Sequence, residues 1–176
     1  TTDGAYRTNY YENHNLYDGF LSKLSPTLGT LSASTFFGGV NDDFINAVAL
    51  DPYGGVIVVG QTDSGDFPVN WGSFDRFLDG PSDAFLARLD TSLATLLAST
   101  YLGGSNTETA TALALDQWAY VFVAGTTESL HGGLGENFPV SAAAYNSAYT
   151  ADGFICSFDL GLSSLRASTL VGGASN

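Results

Sequence analysis

The chain has 176 residues, of which 44% are hydrophobic and 13% are charged, so it can bury the core of one ordinary domain and does not have the composition of a disordered chain. Eighteen acidic side chains against five basic ones give a net charge of −13, which disfavours nucleic acid and anionic membrane surfaces as partners. No apolar run approaches the ~18–20 residues of a membrane helix, so we expect no membrane insertion.

The first predicted elements are two strands, Phe20–Leu24 and Leu31–Phe37. Both are short runs of apolar and β-branched residues with partial alternation, bounded by glycine, proline and aspartate. The first follows Asp18. The second contains Ala33-Ser-Thr and leads into Gly-Gly. Both motifs return later in the chain, and residues 1–40 are therefore interpreted as a partial repeat unit.

The next predicted elements form a hairpin. The strands Ile45–Leu50 and Val56–Val59 flank Asp51-Pro-Tyr-Gly-Gly55, whose residue types are typical of a tight turn. Two more strands then repeat the first pair, since Asp83-Ala-Phe-Leu and Ala98-Ser-Thr match the motifs at Asp18 and Ala33. Residues 41–104 are therefore interpreted as one full unit.

A second full unit is predicted over residues 105–173, because the stretch 83–127 repeats 18–62 and the same motifs continue beyond it. An insertion around 130–136 lengthens this unit. The alanines of Ser141–Tyr149 predict one or two turns of helix, the only helix expected. In all, the pattern predicts ten strands in a single repeat domain over residues 1–176.

These units predict an all-β fold of antiparallel, four-stranded, propeller-type blades, about two and a half in number. The ordered motifs Ser-Thr-[aromatic]-Leu-Gly-Gly, Ala-x-Ala-Leu-Asp, Val-x-Val-x-Gly-x-Thr, Phe-Pro and Asp-[Gly/Ala]-Phe-Leu resemble the bacterial beta-propeller repeat known as SBBP. The resemblance implies a secreted, cell-surface or periplasmic bacterial protein.

Two and a half blades make an incomplete propeller, since closed rings have typically 4–8 blades. The terminal blades are therefore expected to present bare sheet edges, which invite pairing with another chain. Three explanations stay open. The chain is part of a longer protein, it assembles with copies of itself, or a different protein covers its edges.

No catalytic constellation is visible, and the chain is interpreted as not an enzyme. His14 and His131 each lie in a loop without a second ligand at metal spacing. No cofactor is expected, and calcium is the one alternative. Its candidate ligands, against the preferred interpretation as turn residues, are Asp42, Asp43, Asp63 and Asp66.

Other notable residues have structural interpretations. The recurring Asp18, Asp83 and Asp152, and also Asp51 and Asp116, are expected to fix turns at strand ends by accepting backbone N–H groups. Cys156, the only cysteine, is expected to be a buried, inert thiol. Tyr10-Tyr11 and Trp71 are less regular, and a sugar- or protein-binding patch is the alternative to packing there.

The sequence therefore favours a non-enzymatic extracellular module that is structural or binds protein, as a subunit or fragment of a larger assembly. The alternative is a fragment of a carbohydrate-binding or enzymatic propeller whose active site lies on blades outside this sequence.

Overall fold

The computed structural model describes residues 1–9, 16–129, 137–146 and 153–172, and within them all regular structure is β-strand. No helix in this described part is long and apolar enough to cross a membrane. The ten strands are β1 (Gly19–Leu24), β2 (Leu31–Phe37), β3 (Asp43–Leu50), β4 (Val56–Thr62), β5 (Asp83–Leu89), β6 (Leu96–Leu102), β7 (Glu108–Leu115), β8 (Val121–Thr127), β9 (Gly153–Phe158) and β10 (Leu165–Val171).

The strands form one two-stranded sheet and two four-stranded sheets. The orders are β1-β2, β3-β4-β5-β6 and β7-β8-β9-β10, with every pair antiparallel and each strand next to its chain neighbour. The predicted all-β class with antiparallel four-stranded sheets is confirmed, as is the hairpin that joins β3 to β4. The propeller arrangement of these sheets stays a prediction.

The last two strands of each sheet pair in the same register. Phe20 of β1 lies opposite Phe36, Phe85 of β5 opposite Tyr101, and Phe154 of β9 opposite Leu170. Each pair also has one irregularity, close to the turn that joins its strands. Because the register and the irregularity recur, the repeat in sequence is also a repeat in backbone structure.

The core lies between the sheets as two layers of apolar side chains. One layer contains Leu21 and Phe37 from the two-stranded sheet with Phe85 and Leu89 from β5. The other contains Leu86 and further residues of the β3–β6 sheet with apolar residues of β8, β9 and β10. Since successive residues of a strand point to opposite faces, the middle sheet contributes Phe85 to one layer and Leu86 to the other.

The expectation of bare edges needs correction at the last strand of each sheet. In every sheet, the segment preceding the second-last strand runs along the edge of the last strand and hydrogen-bonds to it. In the C-terminal sheet, the Ser141 N–H donates to the Ser168 carbonyl and the Leu170 N–H to the Asn146 carbonyl, both at 3.0 Å. β10 is therefore partly covered within the chain. β1 differs, since among the described residues it pairs with β2 alone.

The helix expected at Ser141–Tyr149 is wrong for the part that the structure describes. Residues 141–146 form a turn in which the Ala144 N–H donates to the Ser141 carbonyl at 3.0 Å, and residues 147–149 lie outside the described residues. The alanines favour helix, but this segment instead bonds to β10, and such tertiary contacts override a weak local preference.

Candidate functional site

Two equivalent buried carboxylates hold the corners where a Gly-Gly link enters a new sheet. In the first corner Asp43 accepts the Gly39 N–H at 2.7 Å and the Ser64 hydroxyl at 3.0 Å. In the second, Glu108 accepts the Gly104 N–H at 2.7 Å and the Thr127 hydroxyl at 2.6 Å. Each acid thus ties the link to the far end of the hairpin that follows it, which is a structural role.

Burial changes the acidity of Asp43 and of a further buried carboxyl group, Asp83 at the start of β5. It raises the pKa of Asp43 to about 6, and the charge of Asp18 adds to the shift. Burial likewise raises the pKa of Asp83 to about 7, with a further contribution from Glu108. A pKa near neutrality suits general acid–base chemistry. However, Asp43 and Asp83 are completely buried, so no substrate reaches them in this structure.

The calcium candidates come together at the first corner, where the carboxylates of Asp42, Asp43 and Asp66 accept backbone N–H groups. Asp42 accepts the Tyr17 N–H at 2.8 Å, and Asp66 accepts the Val40 N–H at 2.9 Å. The carbonyl of Asp63 accepts from the side chain of Asn41 at 3.0 Å. These contacts agree with the turn interpretation. Among the described residues no group of three or more His, Cys, Asp or Glu could hold a metal ion. Calcium stays an untested alternative.

Recurring aspartates fix hairpin turns, as the sequence predicted. Asp51 accepts the Tyr53 N–H and, at 2.6 Å, the Arg88 Nε–H. Burial raises the pKa of Asp51, but the bonds from Arg88, Tyr53 and Gly55 outweigh it and the net shift is downward. Asp116 accepts the Trp118 and Tyr120 N–H groups, both at 2.9 Å. Asp18 instead pairs with Arg7 at 3.3 Å, and Asp152 lies outside the described residues.

A set of threonines that the sequence reasoning did not single out pins the covering segments to the last strands. They are the threonines of the three Ala-Ser-Thr motifs. Thr100 Oγ1 accepts the Asp75 N–H at 2.8 Å and donates to the Asp75 carbonyl at 3.0 Å. Thr35 makes the same two bonds with Arg7, and Thr169 makes them with Asn146. The threefold recurrence of Ser-Thr was the signal.

Of the remaining candidates, the structure describes Cys156 and Trp71. Cys156 is buried, and burial raises the pKa of its thiol to about 12, which confirms the prediction of a buried thiol. Trp71 is exposed, and the Arg76 guanidinium lies 4.1 Å from its ring centre, a cation–π contact. His14, His131 and Tyr10-Tyr11 lie outside the described residues.

Exposed apolar side chains occur on the outward faces of the first and last sheets. The leading face is defined here as Phe20, Leu24 and Leu28, on the two-stranded sheet and its turn. Their equivalents in the next unit, Phe85, Leu89 and Leu93, are all buried in the inter-sheet layer. Positions that are core in the middle sheet are therefore exposed at the start of the chain.

The trailing face is defined as Phe122, Tyr145, Ile155 and Val171, on the β7–β10 sheet and its covering segment. An open groove of about 370 Å³ lies there, lined in part by Phe122, Tyr145 and Ile155. The middle sheet buries the equivalents of the three strand residues completely, and these are Ile57, Leu86 and Leu102. Positions that are core in the middle sheet are therefore exposed on the trailing face as well.

No protein-family model matches the chain, and no curated protein matches it. The resemblance to the bacterial beta-propeller repeat therefore stays a prediction from the motifs.

Proposed function

We propose that the chain is a non-enzymatic, extracellular structural or protein-binding module made of propeller-type blades of the SBBP kind. The observation that carries this is how the repeated polar residues are used. The buried acids, the turn aspartates and the pinning threonines all bond to the scaffold, at equivalent positions in successive units. The exposed apolar residues of the two end faces are then available to bind a partner.

The packing of neighbouring sheets supports the blade interpretation. The first strands of the two four-stranded sheets lie side by side, since the Asn46 side chain of β3 donates to the Ala110 carbonyl of β7 at 2.9 Å. Thr109 of β7 also donates to the Gln61 side chain of β4 at 2.8 Å. Close first strands at the inner side of successive meanders are what a radial arrangement of blades requires.

Distance measurements between spin labels test the blade arrangement. In a Cys156→Ala background, one double variant carries labels on the first strands (Val48→Cys with Leu113→Cys) and another on the last strands (Leu97→Cys with Arg166→Cys). Blades that radiate from an axis give a clearly longer separation for the outer pair. Equal separations would indicate sheets stacked in parallel and would contradict the propeller proposal.

A glycan-binding screen tests the protein-binding part of the proposal against the carbohydrate-binding alternative. The wild-type chain on a glycan array is expected to show no saturable binding. Saturable binding that is lost in Trp71→Ala, but kept in the control Trp118→Ala, which changes another exposed tryptophan, would favour the carbohydrate-binding alternative instead.

A further inference from the structure

An aromatic residue at the same position of each covering segment reaches toward the following sheet. The Tyr6 N–H donates to the Leu93 carbonyl at 2.9 Å, and the Phe74 N–H donates to the Leu162 carbonyl at 3.0 Å. The Phe74 ring also contacts Phe158 edge-on, with 5.5 Å between ring centres. The third member of this series is Tyr145, whose side chain is 92% exposed. Tyr145 is the equivalent contact group, and no sheet among the described residues packs against it.

The receiving position is a leucine in the turn between the last two strands of a sheet. Leu28, Leu93 and Leu162 all have positive φ, at 58°, 58° and 53°. This left-handed conformation has a free-energy cost for leucine, because its Cβ approaches the following carbonyl. Leu93 and Leu162 offset the cost by burial, at 2% and 0% exposure, whereas Leu28 is 74% exposed. Among the described residues, Leu28 therefore has the strained geometry of a receiving leucine without an aromatic residue against it.

The strand residues beside Leu28 and beside Tyr145 also correspond to residues that form the interfaces between the chain's own sheets. On the leading face, Phe20 and Leu24 occupy the positions through which Phe154 and Phe158 pack against the preceding sheet. On the trailing face, Ile155 occupies the position through which Leu86 packs against the following sheet. The two faces are opposite halves of one kind of interface, which the chain already forms twice between its own sheets.

We propose that the trailing face of one copy of the chain docks on the leading face of a second copy, head to tail, with Tyr145 against Leu28. This inference rests on the protein-binding part of the proposed function and names its partner. The two faces differ, so the interface is heterologous, and repetition of the contact gives a closed ring or an open chain of copies. Each copy carries a charge of −13, so added salt strengthens the association by screening the repulsion.

Sedimentation of two complementary variants tests the proposal. Leu28→Asn disables the leading face without adding charge, and asparagine tolerates the left-handed conformation. Tyr145→Ser disables the trailing face at an exposed position. We expect the wild type to associate as concentration and salt increase, and each variant alone to associate at least about tenfold more weakly. An equimolar mixture is expected to form a heterodimer, because each variant retains the face that the other has lost.

The matched control is Tyr53→Ser, which removes a similarly exposed aromatic from the β3–β4 turn and should associate like wild type. A second measurement detects the proposed contact directly and does not depend on a loss of binding. In a Cys156→Ala background, a Leu28→Cys copy mixed with a Tyr145→Cys copy is expected to form an intermolecular disulfide faster than either copy forms one with itself.

Three results would each overturn the inference. They are a wild type that stays monomeric at high salt up to its solubility limit, a single variant that associates as the wild type does, and a mixture that forms no heterodimer. The spin-label distances are measured within one chain. Failure of the docking model therefore leaves the blade proposal standing, and failure of the blade proposal is seen independently of association.

Discussion

The two-stranded sheet and the β3–β6 sheet carry the same motifs, yet only the second buries its outward-facing apolar residues. Register, strand irregularity, the left-handed leucine and the pinning threonine are present in both. Phe20 and Leu28 are exposed in the one, whereas Phe85 and Leu93 are buried in the other. The comparison separates two sources of order. Local sequence is enough to shape a strand pair, and the burial of its face depends on whether a neighbouring sheet covers it.

The largest expected difference is between Phe85→Ala and Phe20→Ala. Phe85 is completely buried, with its ring centre 4.4 Å from that of Phe67, so its truncation leaves a cavity and is expected to cost about 3–5 kcal/mol of unfolding free energy. Phe20→Ala, at the equivalent exposed position, is expected to stay within about 0.5 kcal/mol. Urea denaturation at dilutions where the chain is monomeric compares them, and equal losses would show that the leading face is covered within the monomer.

Much of this architecture follows from the sequence, and the exceptions have physical reasons. Alternation and the turn residues around Asp51 predicted the strands and hairpin, because those signals are local. The covering segment at 141–146 escaped prediction because its order comes from bonds to β10 and not from a periodic pattern of its own. The conformation of Leu28 also escaped, since leucine rarely adopts positive φ and turn rules look for glycine or asparagine. The recurrence of leucine at this position was the only signal in the sequence that the position is special.

Of the two acids at the corners, Asp43 was predicted as a turn residue, and its bonds agree with that. The burial of the two acids was not predicted, because aspartate and glutamate are rarely buried and a lone sequence gives no sign of the exception. The end faces could not be found either. Phe20 and Phe85 have the same local sequence signal, so only the arrangement of the sheets distinguishes an exposed position from a core position.

A second pair of variants should, in contrast, show equal effects in the two regions. Thr35→Val and Thr100→Val each remove a hydroxyl that bonds both the N–H and the carbonyl of the covering segment. Each is expected to cost about 1–3 kcal/mol, because the backbone groups lose partners in a partly buried site. Thr→Ser at the same positions is the control and should lose much less. A cost at Thr100 alone would show that the two-stranded sheet does not hold its covering segment.

The pH dependence of stability is expected to come from the two buried carboxyl groups of Asp43 and Asp83. Burial raises the folded-state pKa of Asp43 to about 6 and of Asp83 to about 7, above the ordinary value of 3.8. The folded state therefore binds protons more tightly, and this contribution is fully present below about pH 4 and is lost as pH rises through 6 to 7. The thermal midpoint is expected to be higher at about pH 5 than at about pH 8.

Asp83→Asn should remove part of that dependence, by an amount on the order of 1–2 kcal/mol. The loss of pH dependence should be larger in Asp83→Asn than in Asp3→Asn. The second variant removes the same charge from an exposed position and so controls for the net charge of −13. Glu108 and Asp79, which face Asp83 and raise its pKa, are unchanged in both variants, so the difference between the two isolates the buried carboxyl. Identical pH profiles for the two variants would contradict the assignment to Asp83.

The smallest expected effect has the opposite sign. Leu28→Asn should stabilise the monomer by about 0.5–1 kcal/mol, because asparagine tolerates positive φ better than leucine and almost no buried surface is lost. Leu93→Asn relieves the same strain but removes a buried side chain, so it should destabilise by about 2 kcal/mol. Unfolding at low protein concentration compares the two. Retention of a strained leucine where the monomer gains nothing from it is the expected consequence of a contact made with another copy, so a destabilising Leu28→Asn in the dilute monomer would weaken that explanation directly.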